Sequence, residues 1–159
     1  MTEPSDHPDV IMFPPFIVLI ALAAAVALEW VIGLHFLPPM AWSGWQLFVG
    51  LVLVLAAVAL AGWAVRTFSS VGTNVSPHEP ALHLAISGPY RFTRNPMYVG
   101  FVLLMIGVSL IFSLEWGIIL APVLALVLHF GVVLREERYL TEKFGQPYRD
   151  FLGRTRRWL

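Results

Sequence analysis

The chain has 159 residues, of which 58% are hydrophobic and only 13% charged, and its mean hydropathy is +0.75. Soluble domains carry about 25% charged residues, so a water-soluble globule is excluded, and a single membrane domain over residues 1–159 is expected, with a core of helices packed in lipid. Formal net charge is zero and cysteine is absent, which removes disulfides, Cys-based zinc sites and thiol nucleophiles; no metal and no nucleic-acid partner are expected.

The N-terminus, MTEPSDHPDV, is acidic and lacks the basic segment and small-residue cleavage site of a signal peptide, so the first apolar stretch reads as a retained span. A bilayer core of roughly 30 Å needs about 20 apolar helical residues. Stretches of that kind fall near residues 14–37, 43–65, 96–113 and 115–134. Glu29 sits inside the first and reads either as a functional carboxylate or, preferably, as an interhelical hydrogen bond. Pro38-Pro39 ends that span, and Ser43-Gly44 opens the second. The tight connection from Ser113 to Trp116 makes the third and fourth an antiparallel hairpin. REERYLTEKFG then reads as an amphipathic helix leaving the membrane and stopping at Gly145. A short helix after Pro147 places Tyr148, Phe151 and Leu152 on one face and Arg149, Arg154, Arg156 and Arg157 on the other, which suits an anionic leaflet. The expected fold is therefore all-α, an integral membrane protein of four transmembrane helices with a C-terminal interfacial amphipathic helix.

None of the ten basic residues lies before Arg66. Four spans put all of them on one face with both termini and the loop from Arg66 to Asn95, and the positive-inside bias makes that face cytoplasmic. Three spans would split them. Trp42, Trp45 and Trp116 fall at the opposite boundaries, where indole rings favour headgroups. The expected location is a bacterial inner membrane, multi-pass, with cytoplasmic termini.

Two constellations carry chemistry. In SGPYRFTRNPMYVG, residues 87–100, Asn95 suits an N-cap and Pro96 the first helical position, so unpaired N–H groups from Met97 onward should face the cytoplasmic interface. Such an end attracts carboxylate or phosphate, and Arg91 and Arg94 add charge. Gly88 and Gly100 permit close approach of a ligand or a neighbouring helix. An ordinary capped span with basic flanks is the other reading. Further on, His129 and Glu136 are two helical turns apart and would share a face. A carboxylate at that depth needs a cation or donors; a ligand's ammonium would serve Glu136, whereas Glu137, Arg138 and Glu142 read as a solvated helix face.

GPYRFTRNPMYVG followed by EERYLTEKFGQPYRDF resembles the paired signature of the isoprenylcysteine carboxyl methyltransferase and phospholipid methyltransferase superfamily, approximately G-x-Y-x-x-x-R-H-P-x-Y-x-G, then E-E-x-x-L-x-x-x-F-G-x-x-Y. The resemblance covers residues 72–152 and leaves residues 1–66, the first two helices, without a signature. It implies a cytoplasmic S-adenosylmethionine site lined by Tyr90, Arg94, Asn95, Pro96, Met97 and Tyr98, with the segment Leu82, His83, Leu84 and Ala85 running past it. Glu136 would face the cofactor's amino group and the helix start its carboxylate. The acceptor would be a lipid or a prenylated or otherwise hydrophobic molecule entering from the bilayer: an isoprenylcysteine-type carboxylate, a phospholipid amine or a hydrophobic thiol. An amine acceptor must lose a proton, and His129, His83 or Glu137 would take it; lone histidines, His7 and His35 included, are more often structural.

This chain departs from the pattern twice. Asn95 replaces the usual His, and Val132 stands where the prenylcysteine enzymes keep an Arg associated with the acceptor carboxylate. Two rival readings are an NADPH-dependent membrane reductase, because sterol reductases resemble the superfamily in their C-terminal helices, and a non-enzymatic lipid-binding accessory protein.

Overall fold

A computed structural model describes residues 6–39 and 44–159, and every described helix follows from a local signal in the chain. Helix α1 spans Pro14–Val31, α2 Trp45–Val71, α3 Pro96–Phe112 and α4 Glu115–Leu128; a π turn at His129–Val133 joins α4 to α5, Leu134–Phe144, and α6 spans Gln146–Arg154. No strand occurs among the described residues; an isolated bridge pairs Thr93 with Arg156. Three helical stretches are long and apolar enough to cross a membrane, namely Pro14–Val31, Trp45–Val71 and the continuous run Glu115–Phe144, while Pro96–Phe112 is a shorter apolar helix. The chain is thus an all-helical membrane protein.

Helix α1 stops earlier than its proline pair requires. Beyond Val31 the backbone groups find tertiary partners: Leu34 N–H donates to Glu29 Oε1 (3.2 Å) and Trp116 Nε1–H to Ile32 O (2.7 Å). Glu29 also accepts from Trp116 N–H at 3.3 Å, so this carboxylate links α1 to the uncovered N–H groups at the start of α4. Nearby, the buried Glu115 accepts from Leu37 N–H at 3.2 Å. Helix α2 runs past its apolar stretch to Gly72, whose φ of 70° gives a left-handed cap. Gly72 N–H then donates to Ser69 O and Thr73 N–H to Phe68 O, a closure that glycine adopts without a Cβ penalty. Trp42 and Ser43 lie outside the described residues.

The bundle is antiparallel, with α3 packed between α2 and α4, and α1 against α4. Small residues let α2 and α3 touch backbone to backbone. A Cβ at Gly50 would lie 2.7 Å from Gly107 O, one at Gly107 2.9 Å from Gly50 O, and one at Gly100 3.2 Å from Ala57 O. This spacing of small residues every two turns is a close-packing seam of the kind lipid-embedded helices use. At its continuation Gly88, with φ of 59°, brings the 3-10 turn Gly88–Arg91 onto Thr67 and Trp63 of α2. The main core holds Met105, Leu124, Leu128, Val132 and Val133; a second cluster, with Ala64, Ala85, Tyr90, Tyr148 and Phe151, sits where α2 ends and α3 begins. The apolar face of α6 therefore packs on protein, through Tyr148 and Phe151.

Candidate active site

The second cluster forms one wall of a cleft of about 830 Å³, counting the space at its mouth, bounded by the start of α3, the α5 segment, α6 and the loop 73–85. Pro96 opens α3 and Asn95 occupies the N-cap, yet no side chain of the described residues caps the helix. Asn95 instead turns its Nδ2 to Arg157 O at 2.8 Å. The first-turn N–H groups of Met97 and Tyr98 are thus without a side-chain cap, and both residues, with Pro96, line the cleft.

Glu136 lies across from them. Its Oε1 accepts a 2.6 Å hydrogen bond from the Tyr98 hydroxyl, while Arg94 and Arg157 are both taken by Glu137. Tyr90 is buried, stacked on Phe68 at 5.1 Å, and its hydroxyl has no partner among the described residues. Burial pushes the Tyr90 and Tyr148 hydroxyls above the usual phenol range, so both remain protonated donors. An aromatic wall, an unused donor, a carboxylate with one short bond and a bare helix start can together hold a zwitterion next to a flat apolar group.

Glu137, read from sequence as part of a solvated face, is instead the centre of an ion cluster, with its side chain 12% exposed. Arg157 donates to it three times, Nε to Oε1 (2.9 Å) and Oε2 (3.1 Å) and Nη2 to Oε2 (2.8 Å), and Arg94 Nη2 lies 3.1 Å from Oε1. Arg94 Nη1 also donates to Leu152 O at 2.9 Å, and its N–H to Arg156 O at 2.9 Å. The C-terminal tail is thereby stitched to the start of α3. Arg157, read from sequence as part of the polar face of an interfacial helix, is the stitch; the Glu–Arg separation of twenty residues leaves no periodic trace that would reveal it.

The predicted residues divide cleanly. His83, Leu84, Ala85, Tyr90, Arg94, Asn95, Pro96, Met97, Tyr98, Glu136 and Glu137 all line the cleft. Leu82 is exposed and only its backbone takes part, with Leu82 and His83 N–H both donating to Thr73 Oγ1. Arg91 is exposed and away from the lining. His129 is also elsewhere: Trp158 Nε1–H donates to its Nδ1 at 3.2 Å. The shared face expected for His129 and Glu136 fails because the π turn between them carries an extra residue and turns α5 by about 100° relative to a continuous helix. Val132 is fully buried in the main core, so no polar group replaces the missing arginine. Reasoning from sequence overlooks Phe68 and Tyr139, and it places Tyr148 and Phe151 together on one helix face but against the leaflet, whereas both line the cleft. No cluster able to hold a metal occurs among the described residues.

A family model described as phospholipid methyltransferase matches residues 45–147. The match takes in α2, the first motif and the second as far as Pro147. Comparison with curated proteins and with solved structures gives no match.

Proposed function

The chain belongs to the phospholipid methyltransferase family, and from this we propose that it is an S-adenosylmethionine-dependent enzyme that methylates a lipidic or hydrophobic acceptor at the cytoplasmic membrane surface. The family supports methyl transfer. The observation that carries the cofactor is the Glu136–Tyr98 pair facing the bare start of α3 inside an aromatic cleft. Glu136 would hold the cofactor's ammonium, the first-turn N–H groups its carboxylate, and Tyr90 and Phe68 would pack its flat base, with the Tyr90 hydroxyl donating to it.

Bound S-adenosylmethionine supplies a methyl group on a sulfonium, activated for in-line displacement. What the chain has to do is align that methyl with an acceptor and keep water out, and the buried aromatic wall of Tyr90, Tyr148 and Phe151 suits the second task. For an amine acceptor the proton must go to a nearby base. Glu137 is held by two arginines and His129 Nδ1 by Trp158, which leaves His83, at the cleft, as the preferred proton acceptor. Val132, buried in the main core, leaves a prenylcysteine carboxylate without the cation that the prenylcysteine enzymes keep at this position, which favours a different lipidic acceptor.

In this reading four helices cross a bacterial inner membrane, α3 as the short fourth span, with the cleft and both termini cytoplasmic. All ten basic residues then lie on the cytoplasmic side, and α2, roughly 40 Å long at 1.5 Å per residue, raises Thr67 and Phe68 above a hydrocarbon core of about 30 Å.

Titration of detergent-solubilised protein with S-adenosylmethionine and with NADPH tests the cofactor. Binding of the first alone is expected; binding of NADPH alone would make the protein a reductase, and binding of neither an accessory protein. Incubation with methyl-deuterated cofactor and membrane lipids, read by mass spectrometry, then identifies the acceptor as the species that gains the label.

A further inference from the structure

Residues 6–13 form a strap that leads from the cleft to α1 and is held very differently at its two ends. Near α1, Val10 is buried in the bundle core, Ile11 N–H donates to Gly131 O at 3.2 Å, and the Ile11 side chain occupies the space a Cβ on Gly131 would need. Toward the N-terminus its polar contacts lie at the surface. Asp6 pairs with Lys143 Nζ at 2.6 Å, with side chains 63% and 24% exposed, and Arg135 Nη1 donates to Asp9 O at 2.7 Å. Exposed pairs of this kind contribute little and are screened by salt.

Tyr139 is the pin. Its hydroxyl donates to Asp6 O (3.0 Å) and accepts from Ala81 N–H (3.1 Å) and Lys143 Nζ (3.0 Å), using the one donor and two acceptor positions a hydroxyl has. One atom thus joins the strap, the loop 73–85 and α5. Between pin and anchor, Pro8 is buried and forms part of the cleft wall. On the strap's far side lies a second cavity, lined by Asp9, Phe130, Arg135 and Arg138, which shares Pro8 and Tyr139 with the cleft. The strap therefore has room to swing. The opposite wall does not, being tied through Arg94, Glu137 and Arg157.

We propose that residues 6–9 are a lid on the cleft, hinged at Val10-Ile11 and latched by Asp6, Tyr139 and Lys143, whose opening admits and releases the soluble methyl donor. The proposal rests on reading the cleft as the S-adenosylmethionine site. Opening breaks exposed polar contacts and lifts Pro8 off the cleft wall, while Val10 and Ile11 stay anchored in the core. Lids of this type set exchange rates rather than intrinsic affinity.

The chain has no cysteine, so Asp6→Cys with Lys143→Cys places the sole thiols on the two sides of the latch. The full-length double variant in detergent is cross-linked with a short reducible bis-methanethiosulfonate, and S-adenosylmethionine association and dissociation are followed by stopped-flow tryptophan fluorescence. Cross-linking should slow both rates by about tenfold or more, and dithiothreitol should restore them. In otherwise native protein, Lys143→Ala should raise both rates by roughly threefold while Kd moves less than about twofold. Equal rates before and after reduction, or a Lys143→Ala change in only one of the two rates, would overturn the lid. Absence of S-adenosylmethionine binding in the reduced protein would instead overturn the cofactor reading beneath it.

Discussion

Replacing Arg157 by Ala tests whether the C-terminal tail holds the cleft together. The substitution removes the guanidinium but keeps the backbone carbonyl that accepts from Asn95 Nδ2 (2.8 Å) and Thr93 Oγ1 (3.2 Å), so the tail retains its seat. What is lost is a three-contact pairing with a carboxylate whose side chain is 12% exposed. Hydrogen bonds to charged groups contribute about 1.5–3 kcal/mol. Arg157 is itself 38% exposed, so solvent screening discounts that figure, and Arg94 still faces Glu137 at 3.1 Å; a loss of about 1–2 kcal/mol follows. Glu137→Ala is more damaging. It strands Arg94, whose side chain is 10% exposed and whose Nε already lacks a partner among the described residues, at about 3 kcal/mol. The double variant should then resemble Glu137→Ala alone, because Arg157 has nothing left to bind, giving a coupling of about 1–2 kcal/mol. For a chain of this size 1 kcal/mol moves the unfolding midpoint by about 2–4 °C, so thermal melts in detergent separate Arg157→Ala from Glu137→Ala and show whether the double variant falls with the latter. Additive losses in the double variant would refute the cluster as a unit.

The remaining predictions bear on ligand and packing. Glu136→Gln should weaken S-adenosylmethionine binding by roughly tenfold to a hundredfold, the value of one charge-assisted contact, and leave the melting midpoint above that of Glu137→Ala; calorimetric titration of both variants checks this, and equal affinities would mean the wrong carboxylate was chosen. Asn95→His should keep cofactor affinity within about threefold, because an imidazole N–H can still donate to Arg157 O; complete loss in the same titration would count against this local geometry. Gly107→Val should cost about 1–3 kcal/mol or more by driving a side chain into Gly50 and Val54, whereas Gly62→Ala, which meets nothing within 4 Å, should leave the melt unchanged.

Features written in consecutive residues were legible in the sequence. Asn95-Pro96 marked the start of α3 and Gly145 the end of α5, since caps depend on two or three neighbours. The cleft was legible for the same reason: most of its lining comes from one loop, one helix start and one acidic pair. What escaped depends on partners far along the chain. Glu29 reaches Trp116, Asp6 reaches Lys143 and Arg157 reaches Glu137, and no periodicity encodes such meetings. Helix α1 was read as too long because hydropathy counts apolar residues and cannot see a carboxylate and an indole drawing the backbone away. The apolar side of α6 was assigned to lipid because lipid and a protein core look alike to a hydrophobic pattern.

The π turn between α4 and α5 makes the Glu136-Glu137 doublet behave like a vernier. Two identical side chains stand about 100° apart around the helix axis, one turned to the cleft and the other to a pair of arginines. Regularising that turn to α-helix would advance the scale by one division and put Glu136 where Glu137 now stands, leaving composition and hydropathy untouched. In this bundle the winding of one short segment decides which glutamate meets Tyr98 and which the arginines, so a change of helical form there can rearrange the cleft without substituting any residue that lines it.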